Sequence, residues 1–141
     1  MWPLVKMSAE DLVETVKKKA EEKPGVIIHY VKPDVPCWIK VDTYSMITAF
    51  LFLLEELKNE TGQEEFSCNI ECKNKFVIIN IMWEGNPLKI ETFRMLDKKI
   101  IRIEKEGKPL TLKEIMKHHE AEAFFFVDRN AANRSCIRLL L

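Results

Sequence analysis

Two groups of residues in the chain could support acid–base or metal chemistry by their types: the pair Glu55-Glu56 and the run His118-His119-Glu120. Both groups fall in segments with helical patterns. Neighbouring residues on a helix point about 100° apart, so two such side chains rarely share one proton or one ion. No nucleophile accompanies the glutamates. We therefore interpret the histidine run as a solvated helix end and the glutamate pair as a solvated or capped helix end.

The four cysteines, Cys37, Cys68, Cys72 and Cys136, form no CxxC pair. Cys68 and Cys72 lie on one predicted strand and are separated by about 13 Å at strand rise. That distance is too long for a shared metal ion or a disulfide. We therefore expect the cysteines to be small buried hydrophobic side chains.

Residues 77–88 contain the third candidate, a buried strand that ends in a glycine turn. Val77, Ile78, Ile79 and Ile81 are β-branched and suit a covered sheet, and the segment Gly85-Asn86-Pro87 predicts a tight turn. A strand that ends in such a turn is a common place for a ligand to meet the backbone, so this turn is a candidate binding loop.

Helices and strands that would position these residues follow from hydrophobic periodicity and from turn residues. The patterns predict helices over residues 8–22, capped by Ser8, over 43–59, capped by Asp42 or Thr43, and over 110–121, with a short helix within 88–98. They predict strands over 26–31, 38–41, 65–73, 76–84, 123–127 and 136–141, and an extended piece at 100–103. The first two strands are expected to form a hairpin with a wide connection, and the last two a hairpin through residues 128–133. This order predicts an α/β (α+β) two-layer sandwich whose mixed, mostly antiparallel sheet is covered on one face by about three helices.

Composition narrows the class of protein. The chain has 141 residues, of which 47% are hydrophobic and 31% charged, with a net charge of zero. This length fits one domain, and the charge balance argues against direct binding to nucleic acid or to an anionic membrane. No apolar run approaches the roughly 20 residues that span a bilayer. The apolar stretch in residues 1–6 is too short, and too close to charged residues, to predict a signal peptide. We expect a single cytoplasmic domain over residues 1–141, and the apolar end Leu139-Leu140-Leu141 suggests a piece of a longer multidomain protein.

Five segments, in this order, resemble the ATP-binding domain of sensor histidine kinases, which belongs to the GHKL superfamily and has the Bergerat fold. They are residues 38–42, the helix end 53–61 with the hairpin after it, the turn 83–88, the stretch 107–112 and the closing hairpin. The resemblance covers nearly the whole chain. It implies this fold, a role in signal transduction, and a site for ATP and Mg²⁺ in which each family motif has a counterpart here.

The N-box of the family carries an asparagine that holds magnesium against the triphosphate, and this position falls on Glu56. A carboxylate is a possible Mg²⁺ ligand, although it adds negative charge beside the phosphates. Phe52, one helical turn earlier, places an aromatic ring where these kinases have a polar group. Glu56 is therefore the one candidate metal ligand of the chain.

The DxGxG motif of the family contains an aspartate that accepts a hydrogen bond from the adenine amino group, and this aspartate corresponds to Trp83. Gly85 keeps the first glycine and Pro87 replaces the second. An indole is a donor only, and it is large enough to fill an adenine-sized space. This replacement predicts the loss of adenine recognition.

The phosphate-binding GxGLGL box corresponds to residues 107–112, where Gly107 is kept, Pro109 replaces one glycine and Thr111 another. Proline removes an amide donor and threonine adds a Cβ where a phosphate needs room. The stretch between the two glycine motifs, residues 89–106, carries the ATP lid in the family and is short here. We call it the lid segment.

Three hypotheses follow from these altered motifs. The first is a degenerate, catalytically inactive histidine kinase-like domain, with no catalytic residue and no cofactor, that serves as a regulatory or protein-interaction module in a larger signalling or nucleic-acid-processing protein. Its partners would be another protein or other domains of the same chain. The second is an ATP-dependent kinase domain in which Glu56 binds Mg²⁺. The third is a small-molecule sensor with an apolar pocket beside Trp83.

Overall fold

The computed structural model describes residues 1–128 and 134–141. Its helices are α1 (Ala9–Glu22), α2 (Thr43–Thr61), α3 (Ile90–Leu96) and α4 (Leu112–His118). Its strands are β1 (Val5–Ser8), β2 (Ile27–Tyr30), β3 (Trp38–Val41), β4 (Glu65–Cys72), β5 (Val77–Glu84), β6 (Ile100–Ile103), β7 (Pro109–Thr111), β8 (Glu122–Asp128) and β9 (Arg134–Leu140). Most of the turn predicted at 128–133 lies outside the described residues.

The central sheet has five strands in the order β2-β4-β5-β9-β8. The pair β2–β4 is parallel, and the other three pairs are antiparallel. The helices pack against one face of this sheet, where their apolar residues form a single core with the inward side chains of the strands. The predicted two-layer sandwich with a mixed, mostly antiparallel sheet is confirmed, with four helices in the described residues, one of them the short α3.

Local signals set the ends of the two long helices as predicted. The Ser8 hydroxyl accepts a hydrogen bond from the Asp11 amide at the start of α1, and the Asp42 carboxylate accepts one from the Ser45 amide at the start of α2. Gly62 follows α2 with a φ of 77°, in the left-handed region that a glycine adopts without strain. Helix α4 begins later than predicted because Thr111 caps it and Leu110 belongs to β7.

The predicted hairpin between residues 26–31 and 38–41 is wrong. Strand β2 lies parallel to β4 in the central sheet, whereas β3 pairs with β1 in a separate two-stranded sheet. The connection between them is long enough to carry the chain from one sheet to the other. Strand β1 was not predicted, because its four residues lie directly before the Ser8 cap and are too few to show a period.

The cysteine prediction is wrong for two of the four residues. Cys37 and Cys72 form a disulfide with a Cα–Cα distance of 5.8 Å. The two bonded cysteines are 35 residues apart and are brought together by the fold, so their spacing in the sequence does not indicate the bond. Cys68 and Cys136 are buried free thiols as expected. Burial raises the pKa of Cys68 to about 12 and that of Cys136 to about 11.

No helix in the described part of the chain is long and apolar enough to cross a membrane.

Candidate functional site

Helix α2 positions the two N-box candidates on the side of the helix that faces away from the sheet. Its buried residues, among them Phe50, Leu54 and Leu57, face the core, and Phe52 and Glu56 lie one turn apart on the outer strip. Both line a cleft of about 560 Å³ whose opposite side includes Ile100 and Ile101 of β6. The N-box position therefore faces the lid segment.

The Glu56 carboxylate is bound by a cation of the chain itself. Lys99, in the lid segment directly before β6, places its Nζ 2.7 Å from Glu56 Oε2. The Glu56 side chain is 15% exposed and that of Lys99 is 45% exposed. The hydrogen bond from its ammonium to Glu56 raises the pKa of Lys99. An ammonium thus lies against the carboxylate that the resemblance offered as a magnesium ligand.

A second contact joins the lid segment to the start of α2. The guanidinium of Arg102 lies 4.4 Å from the centre of the Tyr44 ring, and its Nη1 donates a hydrogen bond to the Tyr44 hydroxyl. Arg102 also lies 3.6 Å from the carboxylate of Glu104. The lid segment therefore contacts α2 at two points that are about three turns apart on the helix.

Trp83 lies at the end of β5 with its indole in the core, where the residue is 3% exposed. Its ring stacks on Phe125 at 6.2 Å between centroids and meets Phe66 edge-on at 5.9 Å. Its Nε1 donates a hydrogen bond of 2.9 Å to the carbonyl of Asn86. The polar atom of the indole is thus satisfied inside the protein, and the ring packs against two aromatic side chains.

The glycine turn after β5 packs against the end of α2. Gly85 has a φ of 116°, and a Cβ at this position would lie 3.4 Å from Gln63 Oε1. The Asn86 side chain donates to the Thr61 carbonyl at 3.5 Å, and Pro87 is exposed. A glycine is required here because of its positive φ, and this requirement exists without a ligand.

Residues 107–111, the counterpart of the phosphate-binding box, form a hairpin turn and a helix cap. Gly107 has a φ of 82° and donates its amide to the Glu104 carbonyl at 2.9 Å. Pro109 lies in β7, paired with Ile103. The Thr111 hydroxyl accepts the Glu114 amide at 3.2 Å. These backbone donors are therefore used within the chain.

The predicted site residues do not meet in one cavity. Among the described residues that line the cleft beside Phe52 and Glu56, none comes from the turn after β5 or from residues 107–111. Trp83 instead borders a cleft of about 330 Å³ at the end of the sheet. That cleft is lined by the hydrogen-bonded pair His29–Glu65, at 3.0 Å, and the ion pair Arg134–Glu84, at 3.4 Å. The space beside Trp83 is therefore charged rather than apolar.

The interpretation of the histidine run as a solvated helix end is wrong for His119. Its side chain is buried, and its Nε2 accepts a hydrogen bond of 2.9 Å from the Asp42 amide. Because Nε2 is an acceptor, the ring proton lies on Nδ1, which donates to the Ile115 carbonyl at 2.7 Å. The described residues contain no group of three or more His, Cys, Asp or Glu side chains that could hold a metal ion. His119 therefore fixes the start of α2.

Sequence reasoning missed Lys99, Arg102 and Tyr44. An exposed lysine or arginine in a short connecting segment carries no local signal of its partner. The one available clue was the carboxylate at the N-box position, because a half-buried carboxylate requires a cation or hydrogen-bond donors.

Comparison with solved structures identifies the fold. The nucleotide-free catalytic domain of the histidine kinase ThkA matches with a TM-score of 0.71 and 13% identity, over 99% of this chain and 95% of that one. The ATP-binding domain of PrrB from Mycobacterium tuberculosis matches with a TM-score of 0.70 and 15% identity, over 98% and 94%. The histidine kinase domain of the E. coli osmosensor EnvZ matches with a TM-score of 0.68 and 13% identity, over 100% and 89%.

No family model and no curated protein matches the sequence. The structural matches confirm the fold expected from the resemblance, which is that of histidine kinase ATP-binding domains, over nearly the whole chain. At these identities the likeness extends to the fold alone.

Proposed function

We propose that this chain is a histidine kinase-like domain that has lost ATP chemistry and acts as a regulatory or protein-interaction module. The observation that carries the proposal is the position of Trp83. At the place of the adenine-binding aspartate, its indole is buried and packed between Phe66 and Phe125. Its Nε1 already donates to Asn86, and an indole has no acceptor for the adenine amino group.

The contact between Lys99 and Glu56 supports the same conclusion for magnesium. A Mg²⁺ ion prefers near-octahedral oxygen coordination and is usually held by carboxylates together with substrate phosphates. The Glu56 carboxylate already binds an ammonium at 2.7 Å, and an ion at this oxygen would have to displace it. The alternative of a kinase with Glu56 as its metal ligand therefore requires the Lys99 side chain to leave this carboxylate oxygen.

A protein partner fits the fold class. A structure of the histidine kinase ThkA in complex with the response regulator TrrA also matches this chain, with a TM-score of 0.66 and 13% identity over 98% of this chain and 41% of that one. ThkA thus engages another protein, and we extend to this chain only the expectation that its domain docks onto a protein or onto other domains.

A second candidate function is a small-molecule sensor, which the cleft beside Phe52 favours. Its volume of about 560 Å³ lies in the range of ligand sites, and Phe52, Leu51, Ile100 and Ile101 supply apolar lining. This cleft differs from the pocket beside Trp83 that the sequence suggested. A ligand here would contact both α2 and the lid segment.

Nucleotide titration separates these functions. The proposed function predicts no response to ATP with magnesium, and the kinase alternative predicts saturable binding that requires magnesium. The sensor predicts that a non-nucleotide ligand shifts the amide resonances of Phe52 and Ile101. Phe52→Ser should abolish such a shift, whereas the exposed control Phe76→Ser should leave it unchanged.

A further inference from the structure

Strand β8 forms one edge of the central sheet and pairs, among the described strands, with β9 alone. It has seven residues, so the edge is about 24 Å long. The other edge, β2, has four residues. Pairing between β8 and β9 runs through all seven residues without a bulge. This edge is therefore a long, regular row of backbone groups.

The centre of β8 is apolar and carries no residue that blocks pairing. Its sequence, EAFFFVD, contains no lysine and no proline, the residues that commonly keep edge strands from accepting another strand. Phe124, Phe126 and Val127 are 42%, 37% and 43% exposed. An exposed apolar edge of this kind binds an extended segment by adding it to the sheet.

The edge is held rigidly from both faces of the sheet. On the inner face, Phe125 packs between Trp83 and Phe93, with centroid distances of 6.2 and 5.7 Å. On the outer face, the guanidinium of Arg138 lies 4.9 Å from the centre of the Phe126 ring. Its Nε donates to Asn80 Oδ1 at 2.8 Å, and Asn80 is 3% exposed. A strand that is ordered in advance loses little entropy on binding.

Charge decides between a second copy and a different partner. A second copy would present the same strand, EAFFFVD, which contains no lysine or arginine to lie opposite Glu122. Opposite charges on directly facing residues favour strand pairing. Glu120 and Glu122 are both exposed at the start of the strand, so the edge suits an incoming strand with a basic end.

We propose that the edge of β8 binds an extended segment of a partner protein, in which apolar residues alternate and lysine or arginine flanks them. The segment adds a sixth strand to the sheet. Its apolar side chains contact Phe124 and Phe126 on the outer face, and its basic end meets Glu122. The inference builds on the proposed role as an interaction module, but its test uses no nucleotide, so the failure of one leaves the other standing.

The test is a titration of the full chain with three synthetic nine-residue peptides, followed by amide NMR. The first peptide is Lys-Thr-Val-Thr-Val-Thr-Val-Thr-Lys, in which the lysines and valines share one face. The second carries terminal glutamates instead, and the third has a central proline in the lysine-flanked sequence. We expect the first to bind with resonance changes concentrated in residues 122–128. The second should bind about fivefold more weakly, from one reversed cross-strand charge pair at Glu122, and the third should not bind.

A charge reversal at the edge sharpens this test. Glu122→Lys should invert the preference, so that the glutamate-flanked peptide binds more tightly, while Glu114→Lys on α4, also exposed, should leave it as in the unmodified chain. Equal binding of the first two peptides, resonance changes confined to other strands, or no binding would each overturn the proposal. A dimer in sedimentation experiments that Glu122→Lys disrupts or strengthens would assign the edge to a second copy and overturn it as well.

Discussion

The ammonium of Lys99 lies 2.7 Å from the carboxylate of Glu56 and joins the lid segment to α2. In the resemblance to histidine kinases, Glu56 occupies the place of the magnesium-binding asparagine. A positive charge is thus present at this carboxylate without a metal. The lid segment is held against the helix by this contact and by that between Arg102 and Tyr44.

The first prediction concerns the strength of this contact. Lys99→Met and Glu56→Gln should each lower the free energy of unfolding by about 0.5 kcal/mol, because the pair is partly exposed and screened by solvent. The two changes should be non-additive in a double-mutant cycle measured by urea unfolding. Lys98→Met, also exposed, is the matched control and should change little. Additive effects would show that the pair does not interact in solution.

Trp83 tests the loss of adenine recognition, because replacing it with the aspartate of the family motif should not create ATP binding. Trp83→Asp should lower the free energy of unfolding by about 4 kcal/mol, since it removes a core aromatic ring and buries a carboxylate. The matched control is Trp38→Asp, at a position 57% exposed, with an expected loss below about 1 kcal/mol. Denaturant unfolding gives both values. A folded Trp83→Asp variant that gains ATP binding would show that the indole alone prevents nucleotide binding.

Acid sensitivity should arise in part at Asp42. Burial alone would raise the pKa of this carboxyl, but hydrogen bonds from the Ser45 hydroxyl, the Trp2 amide and the Ser45 amide lower it below its usual 3.8. A lowered folded-state pKa means that the charged form stabilises the fold above pH 3.8, and that this contribution is lost as the pH falls through the folded value.

Asp42→Asn should therefore be less stable than the unmodified chain at pH 7, and the difference should shrink below pH 3.8. Unfolding free energies measured from pH 7 to pH 2 check this, with Asp34→Asn in an exposed loop as the control. A difference that stays constant over this range would rule out Asp42 as a source of acid sensitivity.

The disulfide between Cys37 and Cys72 should contribute measurably to stability. It closes a loop of 35 residues, for which restriction of the unfolded chain gives about 4 kcal/mol. Dithiothreitol should therefore lower the melting temperature, and Cys37→Ser should remove that effect. Mass spectrometry after alkylation of the unfolded, unreduced chain should find two free thiols, Cys68 and Cys136. Four alkylated thiols would show that the bond is absent.

The sequence was sufficient for those parts of the fold that depend on local signals. The caps at Ser8 and Asp42, the buried strand β5 and the glycine turn after it were predicted because each follows from adjacent residue types. The pairing of β1 with β3 was not predicted, because strand partners depend on the path of the chain.

The contacts of the candidate site could not be predicted from neighbouring residues, because they also depend on the path of the chain. Lys99 and Glu56 are 43 residues apart, and Arg102 and Tyr44 are 58 apart. Sequence spacing carries no information on such distances without a fold. By contrast, the size and hydrogen-bonding capacity of Trp83 follow from its residue type, and the residue is buried in the structure.

The measurement that tests the central claim most directly is a calorimetric titration of the full chain with ATP in the presence of magnesium, with the melting temperature followed in parallel. A ligand at a hundred times its dissociation constant stabilises a folded protein by about 2.7 kcal/mol, so binding would be visible in both readouts. The account predicts no saturable heat and no shift in melting temperature. Saturable, magnesium-dependent binding that is lost in Glu56→Gln would contradict it.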